Sequence, residues 1–274
     1  MDAKILIGVF LLSLSLVSCA QSAGQAETEI VNKAIKEQKM KIEIWSDVMC
    51  PFCYIGKRNF ETALEQFQDK NHIEVVWKSF QLDPNMPDVS EESQEDYLVK
   101  RKGLSREQVK GMLANVTQSA KQVGLEYHFE KSVTANSFKA HRLIQFAKEK
   151  GKGDQAEEIL FRAFFTEGKN IADIETLTQA GKEIGLDEND LKVAFTDEKY
   201  AYQVNQDIQE ARNIGVNGVP FFVFDKKYAV SGAQPSQAFL QTLEKAFTEW
   251  RKLNPETKLE VTQGQSCTTD GVCE

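Results

Sequence analysis

The stretch MKIEIWSDVMCPFCYIGKRNF, residues 40–60, decides the fold. It places an alternating strand pattern before Cys50-Pro51-Phe52-Cys53 and a helical pattern after it. Two cysteines three apart at the start of a helix share one face, and the unpaired amides and dipole of that end favour a thiolate. Pro51 suits the first helical position. The pattern predicts a redox dithiol, with Cys50 as the exposed, acidic thiol and Cys53 as the shielded resolving thiol.

A structural disulfide or half of a zinc site would also explain two cysteines at this spacing. The three histidines show no paired ligand spacing, so we predict no metal at the dithiol. Cys267 and Cys273 are the other close pair of thiols, and a four-cysteine metal site therefore remains an alternative.

Secondary-structure patterns around the dithiol predict a β-α-β unit, a long helical block and a final β-β-α unit. Strand patterns occur at 41–46, 72–80, 219–224 and 228–231, and residues 93–214 are almost entirely helical in pattern. This order predicts an α/β protein in which a thioredoxin fold is interrupted by a helical insertion. We assign residues 40–86 and 211–253 to the thioredoxin-fold domain, 87–210 to the insertion and 254–274 to a C-terminal tail.

The N-terminal residues have the pattern of an export signal. The apolar run at 5–17 is short for a membrane span and suits a signal peptide over residues 1–18. It ends in Leu-Val-Ser-Cys, which resembles the lipobox of bacterial lipoproteins, so Cys19 is the predicted lipidation site. The polar segment 19–39 is the predicted tether. We therefore expect a protein of the bacterial cell envelope, anchored to a membrane by lipid and facing the periplasm or the exterior; an ordinary cleaved signal is the alternative.

Composition restricts the classes of function. The chain has 274 residues, of which 41% are hydrophobic and 27% charged, and this is ordinary for a globular protein that buries its own core. Its net charge is −8, and no basic stripe is present. Nucleic acid is therefore not an expected partner.

Three separated motifs resemble the DsbA family of thiol–disulfide oxidoreductases, in particular its FrnE-like branch. They are IWSDVMCPFCYIGK at 44–57, NSFKAHRL at 136–143 and GVNGVPFF at 215–222. The resemblance implies a disulfide oxidase, reductase or isomerase that acts on protein or peptide thiols and disulfides, exchanges electrons with a redox partner and needs no cofactor. It also implies that Val219 and Pro220 form a cis-proline loop facing the dithiol, so that Pro51, Phe52, Val219 and Pro220 contact the substrate.

Phe52 departs from the pattern of the strongly oxidising family members, which carry histidine before the second cysteine. We therefore expect a dithiol less oxidising than that of DsbA, whose potential is about −120 mV. Asp47 is a candidate for proton transfer to Cys53, although an exposed or capping carboxylate is the simpler interpretation. His141 is a candidate for lining the site, against the simpler role of an ordinary interior or surface histidine.

The tail provides a further candidate. Asp270-Gly271 favours a turn between Cys267 and Cys273, so these two sulfurs can meet. We interpret the pair either as an inert terminal disulfide or as a redox relay that exchanges with Cys50 and Cys53.

Two other classes of function remain open. A kappa-class glutathione transferase or hydroxychromene-carboxylate isomerase would share the interrupted thioredoxin fold, but usually has serine in place of Cys50. A metal-binding lipoprotein could use both thiol pairs.

Overall fold

The computed structural model describes residues 38–90 and 92–256. Its centre is a four-stranded sheet with strand order β2-β1-β3-β4. The strands are β1 (Met40–Ser46), β2 (Ile73–Ser79), β3 (Phe221–Phe224) and β4 (Tyr228–Ser231). Strand β1 runs parallel to β2 and antiparallel to β3, and β3 pairs antiparallel with β4.

Helix α1 (Pro51–Gln66) connects β1 to β2, and helix α9 (Ser236–Leu253) follows β4. Both helices pack on one face of the sheet, where an aromatic core forms between them and β3. The Phe60 ring lies 5.5 Å from that of Phe222 and 5.8 Å from that of Phe239. Because side chains alternate along a strand, Ile44 faces one side of the sheet and Trp45 the other. Trp45 accordingly packs in a second, smaller cluster with Ala211 and Val216.

Seven helices follow β2 before the chain returns to the sheet. They are α2 (Gln94–Lys102), α3 (Arg106–Gln122), α4 (Phe138–Glu149), α5 (Gly153–Phe161), α6 (Ile174–Glu183), α7 (Glu188–Thr196) and α8 (Glu198–Asn213). A π-helical turn, Arg162–Thr166, continues α5. The apolar runs 143–147 and 163–165 supply the buried residues Leu143, Ile144, Phe146, Ala147, Ala163, Phe164 and Phe165.

The predicted fold class is confirmed. The order of elements is the predicted β-α-β, helical block and β-β-α, and the turn between β3 and β4 holds Asp225 and Lys226 at positive φ. The predicted domain boundary after residue 210 falls within the last turn of α8. Across the described residues, no helix is long and apolar enough to cross a membrane. The predicted signal peptide, the lipidation site Cys19 and nearly all of the tether lie outside the described residues.

Candidate functional site

The two cysteines lie at the N-terminus of α1, directly after β1. Cys50 is the N-cap residue and Pro51 occupies the first helical position, as predicted. The Cys50 amide donates to the Asp47 carbonyl at 2.9 Å, and the Cys53 amide donates to the Cys50 carbonyl at 3.0 Å. Both thiols are free. The backbone therefore turns sharply into the helix and places both sulfurs on its first turn.

Cys50 is buried, and the expectation of an exposed thiol is wrong. The residue is 4% exposed, because the loop before β3 covers it from another part of the chain. The Cys50 Sγ donates to the Val219 carbonyl oxygen at 3.4 Å. The exposed member of the motif is Phe52, whose side chain is 46% exposed. The surface of the motif is therefore an aromatic ring beside a largely covered sulfur.

The loop that covers Cys50 contains a cis peptide bond between Val219 and Pro220. The Pro220 carbonyl accepts from the Gly232 amide at 2.8 Å, which ties the loop to the end of β4. On its other side the loop packs against Gly56 in α1, where an added Cβ would lie 2.9 Å from Pro220 Cγ. The absence of a side chain at Gly56 therefore lets the loop approach the dithiol helix.

The two thiols have different environments. Burial raises the pKa of the Cys53 thiol well above its usual value, and the adjacent Cys50 raises it further, while the Asp47 backbone amide lowers it. Cys53 is therefore a protonated thiol at neutral pH. This asymmetry suits a dithiol in which one sulfur attacks a disulfide and the other then attacks the mixed disulfide that forms.

Asp47 is fully buried beneath the dithiol, so the interpretation of an exposed carboxylate is wrong. Its Oδ2 accepts from the Leu82 amide at 2.7 Å, and its Oδ1 accepts from the Met49 amide at 3.3 Å. The carboxylate thus connects the segment before Cys50, through a hydrogen bond, to the chain that follows β2.

His141, on α4, is also fully buried, and the structure brings it to Asp47. Its Nε2 lies 3.4 Å from Asp47 Oδ1. Among the described residues, its Nδ1 has no hydrogen-bond partner. The imidazole therefore stands behind the dithiol segment, in contact with it through Asp47.

Two residues of this region were not predicted from the sequence. The Tyr127 hydroxyl donates to the Pro51 carbonyl at 2.7 Å, which links the helical insertion to the dithiol motif. Burial raises the pKa of Tyr127, as do the charges of Cys50 and Tyr54. Glu157, on α5, is fully buried, and neither of its carboxylate oxygens has a hydrogen-bond partner in the described part of the chain. No local motif marks either residue, because both acquire their place only through tertiary packing.

Within residues 38–90 and 92–256, no group of His, Cys, Asp or Glu side chains is arranged to hold a metal ion. Cys267 and Cys273 lie outside the described residues, so both the redox relay and the four-cysteine metal site stay predictions.

Known proteins resemble this chain over most of its length. YwbO of Bacillus subtilis (strain 168) is 29% identical over 218 residues, which are 77% of this chain and 97% of that protein. The crystal structure of the probable DsbA oxidoreductase SCO1869 from Streptomyces coelicolor superposes with a TM-score of 0.72 at 35% identity, covering 86% of this chain and 98% of that one.

A 2-hydroxychromene-2-carboxylate isomerase superposes with a TM-score of 0.57 at 15% identity, over 78% of this chain and 98% of that one, and this likeness concerns the fold alone. The family model of the DSBA-like thioredoxin domain matches residues 41–244, which include the dithiol, the whole helical insertion and the loop at Pro220. The chain therefore belongs to the DSBA-like thioredoxin domain family.

Proposed function

We propose that this protein is a thiol–disulfide oxidoreductase that acts on protein or peptide substrates through Cys50 and Cys53. The observation that carries the proposal is the position of Cys50: it is the N-cap residue of α1, and its sulfur lies 3.4 Å from the Val219 carbonyl with the high-pKa Cys53 thiol one turn further in. A thiol at a helix N-terminus is placed where a thiolate is stabilised.

The reaction follows from this asymmetry. The Cys50 thiolate attacks one sulfur of a substrate disulfide, and the other substrate sulfur leaves with the bonding electron pair. Cys53 then loses its proton and attacks Cys50, which forms the intramolecular disulfide and releases the second substrate sulfur as a thiolate. The substrate is reduced by two electrons and the dithiol is oxidised. In the opposite direction a substrate thiolate attacks Cys50 and Cys53 leaves.

The surface around Cys50 favours polypeptide substrates. The Val219 carbonyl beside the sulfur is a backbone acceptor, which an extended chain of any sequence can use. Phe52 and Leu82 expose apolar surface near the dithiol segment, at 46% and 40%. Backbone pairing together with an apolar surface recognises many peptide segments rather than one small molecule.

The cellular location of the protein is part of the proposal. Export, lipidation at Cys19 and a location in the bacterial cell envelope rest on the N-terminal pattern and agree with stable disulfide chemistry outside the cytoplasm. Phe52 offers no positive charge to Cys50. The proposed net reaction therefore includes reduction and isomerisation of substrate disulfides as well as oxidation of substrate thiols. The FrnE-like branch and the redox partner belong to the same proposal.

Insulin reduction with an external dithiol, and equilibration of the dithiol with glutathione, test this function. We expect turnover by the wild type, none by Cys50→Ser, and a trapped mixed disulfide with Cys53→Ser. The glutathione equilibration gives the reduction potential and hence the net direction. Insulin reduction that survives Cys50→Ser would refute the proposal. Micromolar glutathione binding with activity that survives Cys53→Ser would instead restore the transferase or isomerase alternative. Stoichiometric zinc or Cu(I) on the reduced chain would favour the metal-binding alternative.

Alkylation of single-cysteine variants gives an independent measure. Because burial raises the pKa of Cys53, iodoacetamide should modify the Cys50 thiol faster than the Cys53 thiol at mildly acidic pH. Mass spectrometry of the two variants over time measures both rates. Equal rates, or faster modification of Cys53, would contradict the assigned roles.

A further inference from the structure

Tyr127 reaches the dithiol motif from the helical insertion. It lies in the segment between α3 and α4, its side chain is buried, and its hydroxyl donates to the Pro51 carbonyl at 2.7 Å. Pro51 stands between the two cysteines in the sequence. A residue 76 positions away in the chain therefore contacts the backbone that separates the two sulfurs.

The rings around Tyr127 hold its hydroxyl at this carbonyl. The Tyr127 ring stacks on Phe165 with centroids 4.6 Å apart and on Tyr54 with centroids 6.2 Å apart. It also meets the Phe129 ring edge-on at 5.6 Å. Aromatic pairs of this geometry add stability beyond the area that they bury. The orientation of the phenol is therefore fixed from several sides.

The π-helical turn that continues α5 holds the backbone on both sides of Tyr127. The Phe165 carbonyl accepts from the His128 amide at 2.7 Å. Thr166 Oγ1 donates to the Glu126 carbonyl, also at 2.7 Å. Turns of this kind are rare and are frequent at functional sites. In this protein, the turn has a specific consequence, because it fixes the segment that brings Tyr127 to the dithiol motif.

The peptide unit that accepts this hydrogen bond also carries an unused donor. Its N–H belongs to Phe52, the second residue of α1, where an amide has no intrahelical acceptor. Across the described chain, the Phe52 amide has no other backbone acceptor, and no side chain caps this end of α1. An N-cap side chain can accept from the second or the third amide of its helix. The third, that of Cys53, already donates to the Cys50 carbonyl, so the Phe52 amide is the donor left for a Cys50 thiolate.

Ionisation of Cys50 creates the need for this donor. The thiol donates to the Val219 carbonyl, whereas a thiolate has no proton to donate and is stabilised by groups that donate to it. The Phe52 side chain offers no positive charge. A hydrogen bond accepted at the carbonyl of a peptide unit polarises that unit, and its N–H becomes a stronger donor.

We propose that Tyr127 is a positioning residue: through the Pro51–Phe52 peptide it stabilises the Cys50 thiolate, and with it the reduced dithiol. The proposal rests on the proposed function and deepens it, because it names a group that adjusts the reduction potential. Burial raises the pKa of Tyr127, and the charge of Cys50 raises it further, so the hydroxyl keeps its proton while Cys50 is ionised. The helical insertion thus adjusts the redox balance of a dithiol that belongs to the thioredoxin-fold domain.

Equilibration of Tyr127→Phe with glutathione tests this role. The dithiol is oxidised to the disulfide while glutathione disulfide is reduced to two glutathione thiols, so the equilibrium constant reports the stability of the reduced dithiol. Loss of the hydroxyl should shift this constant toward the protein disulfide by about threefold near pH 7, because polarisation changes a charged hydrogen bond by a fraction of its strength. Tyr200→Phe is the matched control. Tyr200 is as buried as Tyr127, but its hydroxyl donates to Glu149 rather than to the dithiol motif, so the constant should not change.

Alkylation of Cys50 in a Cys53→Ser background shows whether the effect lies in the thiolate. Iodoacetamide reacts with the thiolate, so Tyr127→Phe should slow the modification of Cys50 at mildly acidic pH, and Tyr200→Phe should not. The expected factor is about two, since a less stable thiolate is also a stronger nucleophile. A changed glutathione constant with an unchanged alkylation rate would place the effect in the disulfide and overturn the proposal.

Urea unfolding of the reduced and oxidised forms separates this role from a purely structural one. A hydrogen bond that only supports the fold would weaken both forms equally in Tyr127→Phe. We expect the unfolding equilibrium constant to change about threefold more in the reduced form than in the oxidised form. Equal changes, or an unchanged glutathione constant, overturn the proposal.

Thr166→Val carries the test if Tyr127→Phe does not fold. It removes one hydrogen bond of the π-helical turn, keeps the phenol, and should shift the glutathione constant in the same direction by a smaller factor. An unchanged constant in that variant overturns the proposal. Failure of the wild type to exchange with glutathione disulfide would instead refute the proposed function.

Discussion

The buried carboxyl of Glu157 should make the stability of this protein depend on pH in a specific way. Its environment raises the pKa from the ordinary value of 4.5 to about 7, chiefly because burial disfavours the charged form. The folded state therefore holds this proton more tightly than the unfolded state does. The stabilising contribution is fully present below the unfolded pKa of 4.5, declines as pH rises and is lost above the folded pKa of about 7.

The difference between these pKa values corresponds to about 3 kcal/mol. Glu157→Gln replaces the carboxyl with an amide of the same shape that does not ionise. The variant should therefore gain about 3 kcal/mol relative to the wild type when pH is raised from about 4 to about 8. In a chain of this size, that gain is a relative shift of about 6 to 12 °C in Tm.

Urea unfolding of the reduced wild type and variant at both pH values measures this change. A buried amide without partners has its own cost, but that cost is independent of pH and cancels in the double difference. Glu149→Gln is the control: in the wild type, the hydrogen bond between Glu149 and Lys199 lowers the Glu149 pKa, so any change has the opposite sign. If the stability difference between Glu157→Gln and the wild type is the same at both pH values, the Glu157 carboxyl is not buried as a titrating group and the reasoning fails.

Packing around the dithiol gives two further predictions. Tyr127→Phe leaves the Pro51 carbonyl without its 2.7 Å donor and should lower the free energy of unfolding by about 1 kcal/mol, measured by urea unfolding; an unchanged value would show that this link carries no energy. Gly56→Ala should destabilise the fold by about 1 to 3 kcal/mol and slow insulin reduction, because the new methyl group meets Pro220 at 2.9 Å. Gly111 lies in a helix with open space around it, so Gly111→Ala should instead raise the free energy of unfolding by about 1 kcal/mol. A similar increase for Gly56→Ala would contradict the close packing of the loop against α1.

The fold was predictable because its signals are local. The alternating residues of β1, the proline after Cys50 and the turn at Asp225 and Lys226 each fix a short element through contacts with near neighbours. The order of such elements then restricts the topology. The dithiol was predictable for the same reason, since Cys50 and Cys53 lie at a strand-to-helix junction visible in one stretch of sequence.

The environment of the dithiol was not predictable in the same way. The burial of Cys50 comes from a loop 169 residues away in the chain, and nothing beside Cys50 indicates it. Glu157 and Glu158 are consecutive glutamates on one helix and look equivalent in the sequence. In the fold, Glu157 faces the interior, whereas Glu158 pairs with Arg58 near the surface. Which glutamate is buried depends on how α5 packs, and this orientation is a tertiary property.

The burial of Glu157 has a cost that depends on pH. Among the described residues, neither of its carboxylate oxygens has a hydrogen-bond partner, and burial raises its pKa to about 7. A solvated glutamate would keep its ordinary pKa and would not link the stability of the fold to pH in the neutral range. The stability difference between the wild type and Glu157→Gln should therefore continue to change with pH up to about 7 and level off above it. A difference that levels off near the ordinary pKa of 4.5 would place this carboxyl in water rather than in the interior.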